Sequence, residues 1–265
     1  MYEHRLELTG HATRALELEG DGPGIVLLHG WGDSADTWRP LLAELARRDR
    51  RAIAVDLPTR LGRGALLPQL DAFAGELVES WAAGRPVVVA GNSLGGCLAL
   101  RLAERRELPL AGIVPVAPAG LEMPGWFDRI ERDPIVRKLL SIPIPIPLAL
   151  VRDSGFSHPS DAQRAVVDAF GAGTETRTAV AGLLESGRGL LPELATAPFD
   201  LAGIDCPVLF VWGARDRAMP GTGARIALDR LPATHVELIE GAGPCPHVEA
   251  AGRLLELLLP FPVRN

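Results

Sequence analysis

The sequence predicts a doubly wound α/β fold: a mostly parallel sheet with helices on both faces, interrupted late by a helical insertion. Three observations carry this. Short apolar runs alternate with helix-period stretches through the first 119 residues, the order that builds parallel sheets. The run Val87-Val88-Val89-Ala90 passes through Gly91-Asn92-Ser93-Leu94-Gly95-Gly96 straight into an apolar-periodic helix. Strand signals vanish between Gly120 and about Phe199, then return.

The elements follow in order. Residues 4–8 and 12–18 alternate as a half-buried antiparallel hairpin at the sheet edge, and Gly20-Asp21-Gly22-Pro23-Gly24 turns the chain after it. Ile25 to Leu28 is a short buried strand ending in His29-Gly30-Trp31-Gly32. A helix is expected over 37–47 with Asp36 as N-cap, a strand over 51–56 and a helix over 66–81. After the Ser93 turn and its helix comes the strand 112–116. Between 120 and 199 helical pieces are expected at 126–140, 160–170 and 174–184, separated by Pro and Gly. In this stretch residues 141–148 read Ser-Ile-Pro-Ile-Pro-Ile-Pro-Leu, which forbids helix and central strand and predicts extended chain. Its isoleucines would pack inside the insertion, line a substrate entrance or form a dimer contact. The core resumes with strands 207–212 and 234–239, a helix over 222–230 between them, and a closing helix 247–259. The expected organisation is a core of residues 1–119 and 200–265 with a helical cap at 120–199.

Composition bounds the function. The chain has 265 residues, 47% apolar, enough for one sizeable core. A net charge of −6 and scattered arginines argue against nucleic acid and against anionic membrane surfaces. No run approaches the roughly 18 apolar residues of a membrane span, and MYEHRLELTG holds no apolar signal core. A cytoplasmic location is therefore expected, with the three cysteines as free thiols. Cys206 starts a strand at the far edge of the sheet and Cys245 lies near the catalytic edge; a strand spans roughly 20 Å, so the two are too far apart for a disulfide. Cys97 reads as buried packing, and Cys245 as a candidate for oxidation.

Three stretches fall where parallel strands end, the edge at which open α/β sheets bind ligands. Ser93 sits in a G-x-S-x-G turn between strand and helix, where Gly91 and Gly95 let the two approach without a Cβ clash. The Leu94 N–H, first of its helix, points at whatever bonds to Ser93. Asp216 follows the strand 207–212, and His247 follows the last strand. Ser, Asp, His is the chain order of one known catalytic-triad architecture. Rivals are weaker. Asp216 could be a solvated loop acid, with Asp128 and Asp133 of the cap as reserves; Asp205 opens its strand at the wrong edge. His247 could merely start a helix. His4 and His11 belong to the hairpin, His158 to the cap, and His235 opens a strand. His29 is expected to order its own loop through a hydrogen bond. Of the tryptophans, Trp31 is the one expected to face a substrate, while Trp38 and Trp126 read as core or pocket wall.

The chain resembles the α/β-hydrolase superfamily, of the single-cap type that includes bacterial esterases, carbon–carbon bond hydrolases and pimeloyl-ester esterases. The resemblance rests on His29-Gly30-Trp31-Gly32, Asp56-Leu57-Pro58, Gly91 to Gly96, Trp212-Gly213-Ala214-Arg215-Asp216, and Gly241-Ala242-Gly243 with His247-Val248-Glu249. It implies an α/β-hydrolase fold and acyl transfer in two steps: Ser93 as nucleophile, His247 as general base and acid, and Asp216 orienting His247. It also implies an oxyanion hole from the N–H groups of Trp31 and Leu94, supported by His29, Gly30, Gly91 and Gly95. No cofactor or metal is implied. The expected partner is a small-molecule ester or acyl substrate, and the expected assembly is a monomer or homodimer.

The sequence departs from that pattern in three places. Thr59-Arg60-Leu61-Gly62-Arg63-Gly64 stands where many relatives have Gly-x-Gly-x-Ser. Pro244 stands where many relatives have a histidine; at the level of sequence this removes a polar contact and leaves His247 as the base. The nucleophile is serine, which counts against dehalogenase and epoxide-hydrolase chemistry through a carboxylate. The first expectation is hydrolysis of esters with small to medium apolar acyl groups. Carbon–carbon cleavage, thioesterase, lactonase and perhydrolase chemistry use the same triad. The cap cations Arg129, Arg132, Arg137, Lys138 and Arg152 would suit an anionic substrate. A small-molecule-binding protein on the same scaffold, without turnover, is the alternative from another class.

Overall fold

A computed structural model describes residues 1–58, 61–121, 177–196, 199–216, 222–231 and 234–261. Eight strands form one sheet: β1 (Tyr2–Leu8), β2 (His11–Leu18), β3 (Asp21–Leu28), β4 (Arg50–Val55), β5 (Val87–Asn92), β6 (Leu110–Val116), β7 (Leu209–Gly213) and β8 (His235–Ile239). Their order across the sheet is β1-β2-β4-β3-β5-β6-β7-β8. The first two join antiparallel, β2 to β1 and to β4, and all later neighbours are parallel. The carboxyl ends of β3 to β8 therefore share one edge.

Helices α1 (Arg39–Ala46), α2 (Leu66–Ala82), α3 (Leu94–Ala103), α4 (Arg177–Ala195), α5 (Thr222–Arg230), α6 (Pro246–Glu249) and α7 (Ala251–Leu258) complete the described fold. Both sheet faces are covered. Val26 and Leu28 of β3, with Val87 and Val89 of β5, join one apolar layer with Phe73, Leu77 and Leu98 of α2 and α3. Ile25, Leu27, Val88 and Ala90 point the other way, against Leu41, Leu42 and Leu45 of α1 and Leu254, Leu255 and Leu258 of α7. A strand buried on both faces reads as an unbroken apolar run, which is how β5 is written. Each Leu or Phe so buried is worth about 1.5–3 kcal/mol.

Several boundaries differ from expectation. β3 begins at Asp21, so the predicted turn 20–24 is mostly strand, with a register shift between Asp21 and Ile25. Gly22 takes φ +76, and a Cβ on Gly24 would lie 2.6 Å from the Trp81 ring, so these glycines are an irregular strand start rather than a turn. Asp36 does not cap α1. It lies in a 3₁₀ turn over Ala35–Trp38, and Trp38 occupies the cap position. The Asp36 carboxylate instead accepts from Arg14 (2.6 Å) and Arg39 (2.6 Å), while Arg14 also bonds Asp56 at 2.9 Å. Asp56 in turn accepts the Ala35 N–H at 2.7 Å, tying the end of β4 to the 3₁₀ turn. The closing helix is broken at Ala250 (φ −142, ψ 44) into α6 and α7.

Of the expected cap, α4 is the described part, and it runs on to Ala195 through Gly187, Gly189 and Pro192. The glycines are contact points here rather than breaks. A Cβ on Gly187 would sit 2.5 Å from the Trp31 ring, and one on Gly189 would sit 2.6 Å from Leu66. The Ile-Pro run, Asp128, Asp133, Trp126, His158, the five cap cations and the other expected cap helices lie outside the described residues, as do Thr59 and Arg60.

Candidate active site

The turn between β5 and α3 is built by what its glycines lack. A Cβ on Gly91 would lie 2.1 Å from the Gly95 carbonyl oxygen, and one on Gly95 would lie 2.1 Å from the Leu28 oxygen. Strand and helix can close to this distance only with glycine at both places. Ser93 takes the strain, at φ 52 and ψ −110, a conformation that costs a non-glycine residue about 1–3 kcal/mol. Its backbone is held by Ser93 N–H to Val116 O (2.9 Å) and by Cys97 and Ala119 N–H to Ser93 O, both 3.0 Å. The half-buried hydroxyl makes no hydrogen bond among the described residues.

Beside it runs the loop after β3. A Cβ on Gly30 would come 3.3 Å from Asn92 Oδ1 and 3.5 Å from Ser93 Cβ, so this loop packs on the serine turn itself. His29 pins the loop. The Leu57 N–H donates to His29 Nε2 (2.7 Å), so that nitrogen carries no proton, and Nδ1–H donates to the Gly30 carbonyl (2.7 Å). Buried and with both ring nitrogens engaged, His29 is a strut and not a base. The N–H of Leu94 opens α3, where no helix carbonyl can reach it.

Asp216 lies just past β7, at 9% exposure, its N–H bonded to the Gly213 oxygen at 3.0 Å. The loop after β8 is pressed onto the end of β7. Arg215 N–H donates to Ala242 O (2.8 Å), and a Cβ on Gly213 would be 2.0 Å from Gly243 O. Glu249 clamps the loop from below, accepting the N–H groups of Gly243 (2.9 Å) and Cys245 (3.0 Å). The loop then crosses toward Ser93, and Asn92 Nδ2 donates to the Pro244 carbonyl at 3.2 Å and to Val116 O at 3.3 Å. Residue 244 is thus the point of this loop that meets the serine turn.

His247 is elsewhere. It lies three residues on, in α6, fully buried, with its ring 4.5 Å from that of Trp38 and its Nε2 2.9 Å from Thr37 Oγ1. Its Nδ1 is buried with no hydrogen-bond partner, and it bonds neither Ser93 nor Asp216. Burial, and secondarily the nearby His29, pulls its pKa down to about 3, so the imidazole is neutral. The structure brings Ser93, Leu94, Gly30 and His29 together; His247 lies near His29 but makes no hydrogen bond to any of these four. The hydroxyl that holds His247 also supports the carboxyl of Asp33, which burial pushes above its ordinary range.

A model of the Alpha/beta hydrolase family matches residues 25–257. The chain belongs to that family. Among curated relatives of this alpha/beta hydrolase is a pimeloyl-[acyl-carrier protein] methyl ester esterase of Xanthomonas campestris pv. campestris, 29% identical over 254 residues, covering 93% of this chain and 97% of that protein. A second such esterase, from Aeromonas hydrophila subsp. hydrophila, is 28% identical over 260 residues, covering 93% of this chain and 98% of that protein. Of solved structures, the dienoate hydrolase BPHD from Rhodococcus sp. strain RHA1 superposes with a TM-score of 0.76 at 19% identity, covering 97% of both chains. At that identity the likeness speaks for the fold alone.

Sequence reading missed Thr37, Asn92 and Glu249. Glu249 stood in a quoted motif without a role, and its clamp on residues 243–245 follows from being one helical turn past them. No sequence signal links Thr37 to His247, 210 residues away. None of the three cysteines is in a disulfide. Burial raises the thiol pKa of both Cys97 and Cys245, which disfavours the thiolate and with it the expected sensitivity of Cys245. Among the described residues no cluster could hold a metal ion and no helix is long and apolar enough to cross a membrane.

Proposed function

We propose that this alpha/beta hydrolase acts on carboxylic esters of small to medium apolar acyl groups, with Ser93 as nucleophile. The observation that carries the reading is the strained serine at φ 52, its hydroxyl unengaged, set between the N–H of Leu94 and the pinned loop that carries Trp31. Ser93 Oγ would attack the ester carbonyl, and the oxyanion would be held by the N–H groups of Leu94 and Trp31. Collapse would expel the alcohol, which takes up the proton given up by Ser93; water would then cleave the acyl-serine, releasing the acid and returning a proton to Oγ. Preorganised donors of this kind are worth about 2.7–4 kcal/mol each. The relatives named as methyl ester esterases support the ester class.

Proton transfer is the weak step. With His247 engaged by Thr37 and neutral, the serine proton has no imidazole beside it, and Asp216 has none to orient. His247 would serve as base only after its ring left Thr37; otherwise turnover is slow. This observation favours a second reading, a protein that binds an ester or acid at this edge with little turnover. The deciding experiment is hydrolysis of 4-nitrophenyl esters of two to sixteen acyl carbons by wild type, Ser93→Ala and His247→Gln, with fluorophosphonate labelling of Ser93. Turnover lost in Ser93→Ala supports the hydrolase. No turnover and no labelling in a folded protein overturns it in favour of the binding protein. Full activity in His247→Gln removes His247 from the chemistry.

A further inference from the structure

The two halves of ester cleavage on a serine place unequal demands on the residues around it. In acylation the departing group belongs to the substrate, so a weakly basic leaving group needs no proton from the protein. In deacylation the departing group is always the serine oxygen, and the attacking water is a weak nucleophile until a base takes its proton. A serine with oxyanion donors and no base beside it supports the first half far better than the second.

The surroundings of Ser93 fit that description. Its half-buried hydroxyl sits in strained backbone beside the N–H of Leu94, the first of α3. The ionisable groups of the two segments that flank the turn are engaged elsewhere. His29 has both ring nitrogens bonded, one to the Leu57 N–H and one to the Gly30 carbonyl. Asp33 accepts the Ser34 N–H at 2.8 Å. His247 Nε2 lies 2.9 Å from Thr37 Oγ1, and the two carboxylate oxygens of Glu249 accept the N–H groups of Gly243 and Cys245. The loop that crosses to the serine turn arrives there with Pro244, whose carbonyl Asn92 holds, and a proline side chain accepts no proton.

We infer that Ser93 is a site of lasting acylation: it takes one acyl group from an activated donor, an aryl ester or a thioester, and holds it as an acyl-serine. The inference rests on Ser93 as the nucleophile of the reading above, and adds the donor class and the slow step. In acylation the bond from Oγ to the carbonyl carbon forms and the bond to the leaving oxygen or sulfur breaks. The serine proton passes through solvent water to the departing phenolate or thiolate. Alkyl esters, whose alkoxide must gain a proton in order to leave, are poor donors. Once formed, the acyl-serine is itself an alkyl ester and persists for the same reason.

The test mixes the protein with 4-nitrophenyl acetate, an acetyl thioester or ethyl acetate, and follows both product release and the intact mass of the chain. The expected result with the aryl ester is a burst of one 4-nitrophenol per chain, then a steady rate about 100-fold or more slower. Peptide mapping should place the acetyl group on Ser93; the thioester should give the same adduct and ethyl acetate none. Ser93→Ala should lose burst and adduct together, and Pro244→His should shorten the lifetime of the isolated adduct at least tenfold. Steady turnover as fast as the burst, with no adduct retained, would show that a base, Asp216 among the candidates, reaches the deacylating water; it overturns the inference and leaves Ser93 as the nucleophile of a hydrolase. Equal acetylation by ethyl acetate, or an adduct lifetime unchanged in folded Pro244→His, also overturns it. No burst, no adduct and no fluorophosphonate labelling in a folded wild type would sink the nucleophile reading itself.

Discussion

Asn92 donates from its side-chain amide to the carbonyl of Pro244 at 3.2 Å, so the residue before the nucleophile holds the loop after β8 at position 244 and nowhere else. The geometry of the site turns on this bond. It brings a residue without a titratable side chain to the serine turn, while His247, in the helix that follows, faces Thr37.

Replacing Pro244 by histidine should supply an imidazole at the point where the loop meets Ser93. A positioned base contributes about 10²–10⁴-fold to rate. We expect Pro244→His to raise kcat for 4-nitrophenyl acetate about 100-fold or more, with a new inflection in the pH profile near the ordinary histidine pKa. An unchanged rate in a folded variant would show that residue 244 does not address the serine.

His247 links stability to pH. Its folded pKa of about 3 lies below the unfolded value of about 6.5. Between these values the unfolded chain binds a proton that the native chain refuses, so stability falls as pH drops through that window and is unaffected above it. The limiting slope is about 1.4 kcal/mol per pH unit. Urea unfolding of wild type and His247→Gln between pH 7 and 5 should show the loss in wild type and its absence in the variant.

Gly95 tests the packing of the serine turn. A methyl there meets the Leu28 carbonyl oxygen at 2.1 Å, a backbone atom that cannot move without moving β3. Gly95→Ala should cost about 3 kcal/mol or more, at the upper end of overpacking losses. Thermal melting should show the drop, and fluorophosphonate labelling of Ser93 should fall with it.

His29→Ala should leave the buried Leu57 N–H without an acceptor, at about 1–3 kcal/mol. It would also free the Gly30 carbonyl and loosen the loop carrying Trp31. A lower urea midpoint with a fall in kcat larger than any change in KM is expected. A stability loss with kcat intact would make His29 a purely structural strut.

The features legible in the sequence were those written locally. β5, its serine turn and α3 could be read because an apolar run, two glycines and a periodic helix stand side by side, and the structure keeps all three. α2 runs one residue beyond the predicted range. What failed was local chemistry overridden by distant partners. Asp36 looks like a helix cap, but the guanidinium of Arg14, 22 residues earlier, holds it in a 3₁₀ turn. Gly187 and Gly189 look like breaks in the helical pattern until Trp31 and Leu66 are seen against them. His247 illustrates the limit most sharply. Its place in chain order matches a triad, but Trp38 and Thr37, distant in sequence, decide where its side chain points.

The backbone of Ser93 has a thermodynamic consequence. At φ 52 and ψ −110 a glycine would sit without strain, so Ser93→Gly should make the chain harder to unfold, by about 1 kcal/mol, while removing the proposed nucleophile. The most stable version of this fold is therefore one that has lost its serine, and selection for thermal resistance alone would steer position 93 toward an inert protein.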